Sequence, residues 1–243
     1  MTALATASLS DREFLALQDH GNNEVRRASF SKALDDANIS HNQYVDILPF
    51  DGNIPRFNLD GVENYYNASL IGNGLAIAAQ GPGSVSLRRF YAMVSQLGVS
   101  TIVSLSDPEA SKIHNYWSRG TLEEENKLDI YKLERRTVWI GENEITHYHL
   151  TGWKIGESIP VEVLVAIIKK VGKVAGPLLV HCSSGTGRTG TFLASYEAYI
   201  DQNPDFFSIA KRNRSYDKGR MSMIQTPVQY QLGHDACAKL VST

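Results

Sequence analysis

A strand that runs straight into a glycine-rich turn and then a helix constrains this chain most. The stretch "PLLVHCSSGTGRTGTF", Pro177–Phe192, begins as a short apolar strand. It passes through five small residues between Cys182 and Arg188, then continues as "GRTGTFLASYEAYI", which reads as a helix. Such a connection aims successive backbone N–H groups at one point and adds the positive end of a helix dipole. Gly185 and Gly187 let the backbone curl without a Cβ in the way. A short apolar strand feeding a helix also implies an α/β fold with a sheet at its centre.

The rest of the chain agrees with that class. "SDRE" at Ser10–Glu13 fits a capping box for a helix that Gly21 would stop, and "EVRRASFSKALDDA" predicts a second helix from Glu24 to Ala37. "YNASLIGNGLAIAAQ" predicts two strands joined at Gly72-Asn73-Gly74. A helix in "VSLRRFYAMVSQLG" precedes a buried strand in "VSTIVSL", Val99–Leu105. Strands in "YKLERRTVWIGENEITHYHL" turn at Gly141-Glu142-Asn143. "IPVEVLVAIIKKVG" sets Val161, Val165, Ile168 and Val171 at helical spacing behind Pro160. With no repeat, low-complexity tract or linker in its 243 residues, the chain is expected to form one domain over 1–243. N-terminal helices at about 10–37 would precede a twisted mixed β-sheet flanked by helices.

Composition narrows the function class. A net charge of −2 gives no pull toward nucleic acid or an anionic membrane, and no apolar run approaches the length of a membrane span. The first residues carry no positive n-region ahead of an apolar stretch. Two cysteines, Cys182 and Cys237, make no disulfide framework, and a reducing, cytoplasmic setting is expected.

The turn "HCSSGTGR" therefore holds a thiol inside a ring of N–H donors. In that field Cys182 should ionise below the usual thiol value of about 8.5. Arg188 is placed to clamp two oxygens of a tetrahedral anion. A thiolate, N–H donors and a guanidinium together describe phosphoryl transfer to sulfur. Three other readings are weaker. A buried, inert cysteine leaves the arginine unexplained. "GTGRTG" matches the G-x-G-x-x-G of dinucleotide sites, but "DFFSIAKRNRSYD" downstream is polar, basic and not strand-like. His147, His149, His181 and Cys182 lack metal-ligand spacing, and no metal or cofactor is expected.

At this point the chain resembles the cysteine-based protein tyrosine phosphatases, in their tyrosine-specific branch. "HCSSGTGRTG" looks like their signature loop and "NQYVDILPFD", Asn42–Asp51, like their phosphotyrosine-recognition loop. "NYYNAS", "IAAQGP", "FYAMVSQLGVSTIVSL", "IHNYW" and "RMSMIQTPVQYQL" follow in family order. The resemblance covers roughly residues 24–240; Ser118–Glu144 has no counterpart in it. It implies that Cys182 is the nucleophile and forms a phosphocysteine, with Arg188 holding the phosphate. The N–H groups of Ser183, Ser184, Gly185, Thr186, Gly187 and Arg188 would line the cradle. Thr189 would offer its hydroxyl to the sulfur, and His181 would be a buried orienting residue. Gln225, and secondarily Gln229, would position water for the second step. Tyr44 would set the depth of a phosphotyrosine pocket, and Asp46 would hold the substrate backbone of phosphotyrosine-containing proteins or peptides. A signature loop without lysines argues against phosphoinositides. The basic run Lys211–Arg220 reads as a solvated face, with Arg220 at a family position beside the site.

One segment departs from the family. Its mobile loop reads Trp-Pro-Asp, and the aspartic acid protonates the leaving phenolate. Here "GWKIGESIP", Gly152–Pro160, keeps Trp153 but has Lys154 and Ile155 in the next two places. Glu157, the only carboxylate of the segment, is the expected replacement acid. The alternatives are a slow enzyme and a phosphotyrosine-binding pseudophosphatase. A short, undecorated chain suits a cytoplasmic enzyme or a bacterial effector delivered into a host cytosol.

Overall fold

The computed structural model describes residues 8–74, 76–107 and 112–241. Its centre is a seven-stranded sheet in the order β3-β4-β9-β5-β8-β7-β6. The strands are β3 (Ala68–Ile71), β4 (Ala76–Gln80), β5 (Thr101–Ser104), β6 (Thr121–Leu128), β7 (Tyr131–Ile140), β8 (Asn143–Thr151) and β9 (Leu178–Cys182). The four inner strands β4, β9, β5 and β8 are parallel, and the outer pairs are antiparallel. The sheet is therefore mixed, as the sequence implied. A small ribbon, β1 (Phe57–Leu59) with β2 (Val62–Asn64), stands apart from it.

The period of a strand decides which helices lie on which face. In β9, Leu178 and Val180 point to one face and Leu179 to the other, and all three are fully buried. On the first face pack α4 (Val161–Val171), α5 (Gly187–Asp201) and α7 (Pro227–Val241). On the second packs α3 (Leu87–Gln96) through Phe90, Met93 and Val94. The strand is covered on both sides, which is why its sequence shows no polar alternation. Helix α4 forms as expected, starting after Pro160 and stopping at Gly172, which has φ 57°. It buries Val163, Leu164, Ile167, Ile168 and Val171.

The N-terminal region differs from the sequence expectation. Helix α1 runs without a break over Leu9–Arg27, capped by Ser8 with Asp11 completing the box, two residues ahead of the predicted one. Gly21 does not stop it. The glycine faces Arg214, and a Cβ there would lie 3.1 Å from that guanidinium, so its role is close packing. The predicted second helix from Glu24 to Ala37 is reduced to α2 (Asp36–Ile39). The cause is Asp51: its carboxylate accepts from the Ser29 and Ser31 hydroxyls at 2.5 and 2.6 Å and from the N–H groups of Ser31 and Lys32 at 2.8 and 3.0 Å. Those bonds offer the backbone an alternative to the helical ladder. Residues 118–144 supply β6, β7 and the start of β8, so they extend the sheet at its far edge.

Candidate active site

Strand β9 ends at Cys182 in mid-sheet, and α5 starts five residues later at Gly187. The intervening backbone is held from outside by Arg220, which is fully buried. Its guanidinium donates to the carbonyls of Gly185 at 3.1 Å and Ser184 at 2.9 Å, and to Asn67 Oδ1 at 2.5 Å. Because a peptide unit is planar and trans, a carbonyl drawn outward turns the next N–H inward. The N–H groups of Gly185 and Thr186 are thus turned toward the loop interior. The Ser183 carbonyl accepts from Gly81 N–H at 3.0 Å, which does the same for Ser184. Gly185 has φ 74°, and a Cβ there would fall 2.2 Å from the Ala79 carbonyl oxygen, so glycine is required.

The thiol responds to this frame. Burial alone would push the Cys182 pKa up. The Arg188 charge, the Thr189 hydroxyl and the N–H groups of Thr189 and Thr186 outweigh it, and the pKa falls below its ordinary value. The Thr189 hydroxyl has no partner of good hydrogen-bond geometry, yet it is close enough to the sulfur to count among those groups. Arg188 is itself buried, donating to Trp153 O at 2.7 Å and to Ser183 Oγ at 2.9 Å. Its planar fork is therefore fixed before any ligand arrives.

The cysteine lies at the base of a cavity of about 180 Å³. Of the residues expected in the site, Tyr44, Asp46, Cys182, Ser183, Ser184, Gly187, Arg188, Gln225 and Gln229 line it. Gly185, Thr186 and Thr189 do not line the cavity; Thr186 and Thr189 act from behind, through their contacts with the sulfur. The half-buried Tyr44 rides on a loop braced by Gln43, which donates to Gly81 O at 2.6 Å and takes the Gln80 carboxamide on its own N–H. Gln225 is exposed and Gln229 buried, and the Gln225 N–H donates to Gln229 Oε1 at 2.9 Å. Both side-chain oxygens come within 2.8 Å of where a Cβ on Gly187 would stand. That glycine lets the two carboxamides close over the loop.

Glu157 stands elsewhere: it is exposed and is not among the lining residues. Ile155 and Gly156 line the cavity in its place.

The three histidines make no metal site; among the described residues no group of three or more His, Cys, Asp or Glu could hold an ion. His147 and His181 share the Tyr116 hydroxyl at 3.1 and 2.8 Å, and Trp117 stacks on His147 at 4.9 Å. Burial pushes the His181 pKa down to about 3, although the Cys182 carbonyl pulls the other way. The ring is therefore neutral at physiological pH and suited to orientation. The dinucleotide reading fails too, because the segment after α5 is a helix, α6 (Phe206–Arg212), not a strand.

Sequence reasoning placed Arg220 beside the site but left the run around it as a solvated face. Fully buried Arg220, and Arg214 at 5% exposure, correct that. Arg214 donates to the carbonyls of Met223, Ile224 and Leu17, tying the glutamine loop to α1. Nothing in a run of mixed basic residues distinguishes the two that turn inward; the signal available was the adjacency of Arg220 to the glutamine motif.

A buried cysteine of lowered pKa, in a turn whose N–H groups face inward beside a preset guanidinium, is an arrangement suited to holding a tetrahedral anion. The chain belongs to the protein-tyrosine phosphatase family, whose model matches residues 38–239. Human receptor-type tyrosine-protein phosphatase alpha is 30% identical over 84% of this chain and 30% of that protein. Human tyrosine-protein phosphatase non-receptor type 2 is 30% identical over 82% of this chain and 55% of its own length. The chain thus spans between 18% and 55% of the length of curated relatives such as these. The catalytic domain of human protein tyrosine phosphatase non-receptor type 18 superposes with a TM-score of 0.82 over 98% of both chains at 24% identity, a likeness of fold.

Proposed function

We propose that this chain is a protein-tyrosine phosphatase that hydrolyses phosphotyrosine in proteins or peptides through a phosphocysteine on Cys182. The observation that carries the reading is the lowered Cys182 pKa inside a cradle whose carbonyls are drawn outward by Arg220. The lowered pKa favours the thiolate, the form that attacks phosphorus without needing a base. Arg188 and the N–H groups of the loop meet the equatorial oxygens, where charge gathers in the transition state. The Thr189 hydroxyl eases the return of the thiolate when the intermediate breaks down. Gln225, supported by Gln229, holds the attacking water. Tyr44 walls the aromatic ring of the substrate, and exposed Asp46 takes the backbone N–H groups of the peptide. The structurally similar phosphatase non-receptor type 18 has been solved in complex with HER2 phosphopeptides, which supports a peptide ligand for this pocket as well. Both cysteines are free, in keeping with a cytoplasmic setting.

The test is turnover of a phosphotyrosyl peptide beside a phosphoseryl one, by wild type and Cys182→Ser. The expected result is hydrolysis of the first only, and a loss of about 10⁴-fold or more in the variant. Equal rates on the two peptides would sink the deep-pocket reading, and full activity in Cys182→Ser would sink the intermediate. Tight peptide binding without turnover would make the chain a binding module.

A further inference from the structure

The segment Gly152–Pro160 meets the pocket as a tight turn. Glu157 N–H donates to Lys154 O at 3.3 Å, and Gly156, third residue of the turn, has φ 76°. A β-turn of this kind puts its two central residues at the tip. Those residues are Ile155 and Gly156, and both line the cavity. Three more hydrogen bonds fix the turn in place. Arg188 Nη1 donates to Trp153 O at 2.7 Å, Trp153 Nε1 to Glu157 O at 2.9 Å, and Thr226 Oγ1 to Gly156 O at 3.1 Å. The Glu157 backbone is thereby used to hold the buried Trp153, while its side chain is exposed. Ile155 is 62% exposed and presents hydrocarbon to the cavity mouth. Among the described residues that line the cavity, Asp46, on the recognition loop, is the only carboxylate.

Resting on the phosphatase reading above, we infer that this segment donates no proton to the leaving group, and that Ile155 selects substrates by leaving-group acidity. The preferred class is aryl phosphates whose oxygen departs unprotonated. In the first step the Cys182 Sγ–P bond forms and the P–O(aryl) bond breaks. The electron pair stays on oxygen, and the phenolate takes its proton from water after leaving. In the second step water attacks phosphorus and the S–P pair returns to sulfur. The proton of the water passes to a phosphoryl oxygen. A phenolate of parent pKa about 10 departs slowly by this route, so the ester of an acidic phenol is the fast substrate.

The deciding experiment measures kcat/KM, which reports P–O cleavage, for nitrophenyl and phenyl phosphate. Wild type, Glu157→Gln and Ile155→Asp are compared over pH. Wild type should fall about 10²–10⁴-fold from the nitrophenyl to the phenyl ester, the span that a positioned acid would otherwise remove. Glu157→Gln should reproduce that ratio. Ile155→Asp should narrow it and lose the gain on the basic side, as the introduced carboxyl deprotonates. A wild-type ratio near one overturns the inference. So does a Glu157→Gln loss confined to the phenyl ester, or an Ile155→Asp ratio as wide as that of wild type. Absence of turnover even on the nitrophenyl ester overturns the phosphatase reading itself, and this inference with it.

Discussion

Two loops meet at the mouth of the cavity, and they are built in opposite ways. The turn after β9 is fixed by its backbone: Arg220 holds two of its carbonyls, Gly81 a third, and Gly185 lies against β4 with no room for a methyl group. The segment after β8 is held by single hydrogen bonds around Trp153 and at the Gly156 carbonyl, and its tip leaves room for side chains; a Cβ at Gly156 would meet nothing within 4 Å. A loop locked through main-chain geometry permits few residues at each position. A loop held through a few single bonds, with open space at its tip, permits many side chains there, so the positions after Trp153 can carry Lys154 and Ile155. The inward-turned N–H groups and the lowered Cys182 pKa of the first loop are therefore built into the fold. The side chains at the tip of the second are open to replacement.

The strongest way to break this contrast is Gly185→Ala. The new Cβ would lie 2.2 Å from the Ala79 carbonyl oxygen and 2.8 Å from the Gln80 N, both backbone atoms of β4, at a positive φ. Neither can move without disturbing the sheet. The expected cost is more than about 4 kcal/mol of stability or a collapsed cradle with no measurable turnover. Denaturant unfolding and activity would be measured together. A stable, active Gly185→Ala protein would show that the turn is not locked by its main chain.

The floor of the same loop makes a second prediction, through pH. His181 folds with a pKa of about 3 against an ordinary value of 6.5. Burial lowers His147 and His149 in the same direction. Below pH 6.5 the unfolded chain binds protons that the folded chain refuses, so stability is full above 6.5 and declines as pH falls toward 3. Between pH 7 and 5.5 His181 alone should remove about 1 kcal/mol, a little under one pKa unit's worth. Carboxylates contribute little in that window, because they titrate below it. Denaturant midpoints at the two pH values test this, and identical midpoints would mean that the imidazoles under the cradle can charge in place.

How much of this was visible beforehand follows from the same physics. The strand, the turn and α5 were legible because the main chain there demands glycines at fixed offsets and an apolar run before them. Tyr44, Asp46 and Gln225 were picked out by resemblance, each within a motif of several residues, and all three line the cavity. The fate of Gly21 was not, because a helix-stopping glycine and one that admits Arg214 look alike until the partner, far along the chain, is in place. The break after Arg27 was hidden for a like reason: Asp51, which draws Ser29 and Ser31 out of the helix, comes from another segment. The tip of the Gly152–Pro160 turn was misread in detail. Counting along the sequence finds the only acid of the segment, Glu157. It does not show that a turn closing between Lys154 and Glu157 sends Ile155 into the cavity and Glu157 out of it.

The smallest effect expected concerns the hinge of that segment. Asp107 lies beside the N–H of Gly152, with both carboxylate oxygens at 3.3 and 3.4 Å, just ahead of Trp153. Gly152 has φ 92°, so the chain turns sharply there and one acceptor helps to set its direction. The contact is long and partly exposed, and its removal should cost no more than about 0.5–1.5 kcal/mol. Because Arg188, Thr226 and the Trp153 indole still hold the turn, Asp107→Ala should leave overall stability within a few degrees of melting temperature. The loss should instead appear as a fall in kcat/KM of up to about tenfold, the kinetic equivalent of that energy. A much larger loss of activity at unchanged stability would mean that the second loop, like the first, is locked through its main chain at the hinge. The contrast drawn between the two would then hold only for the tip.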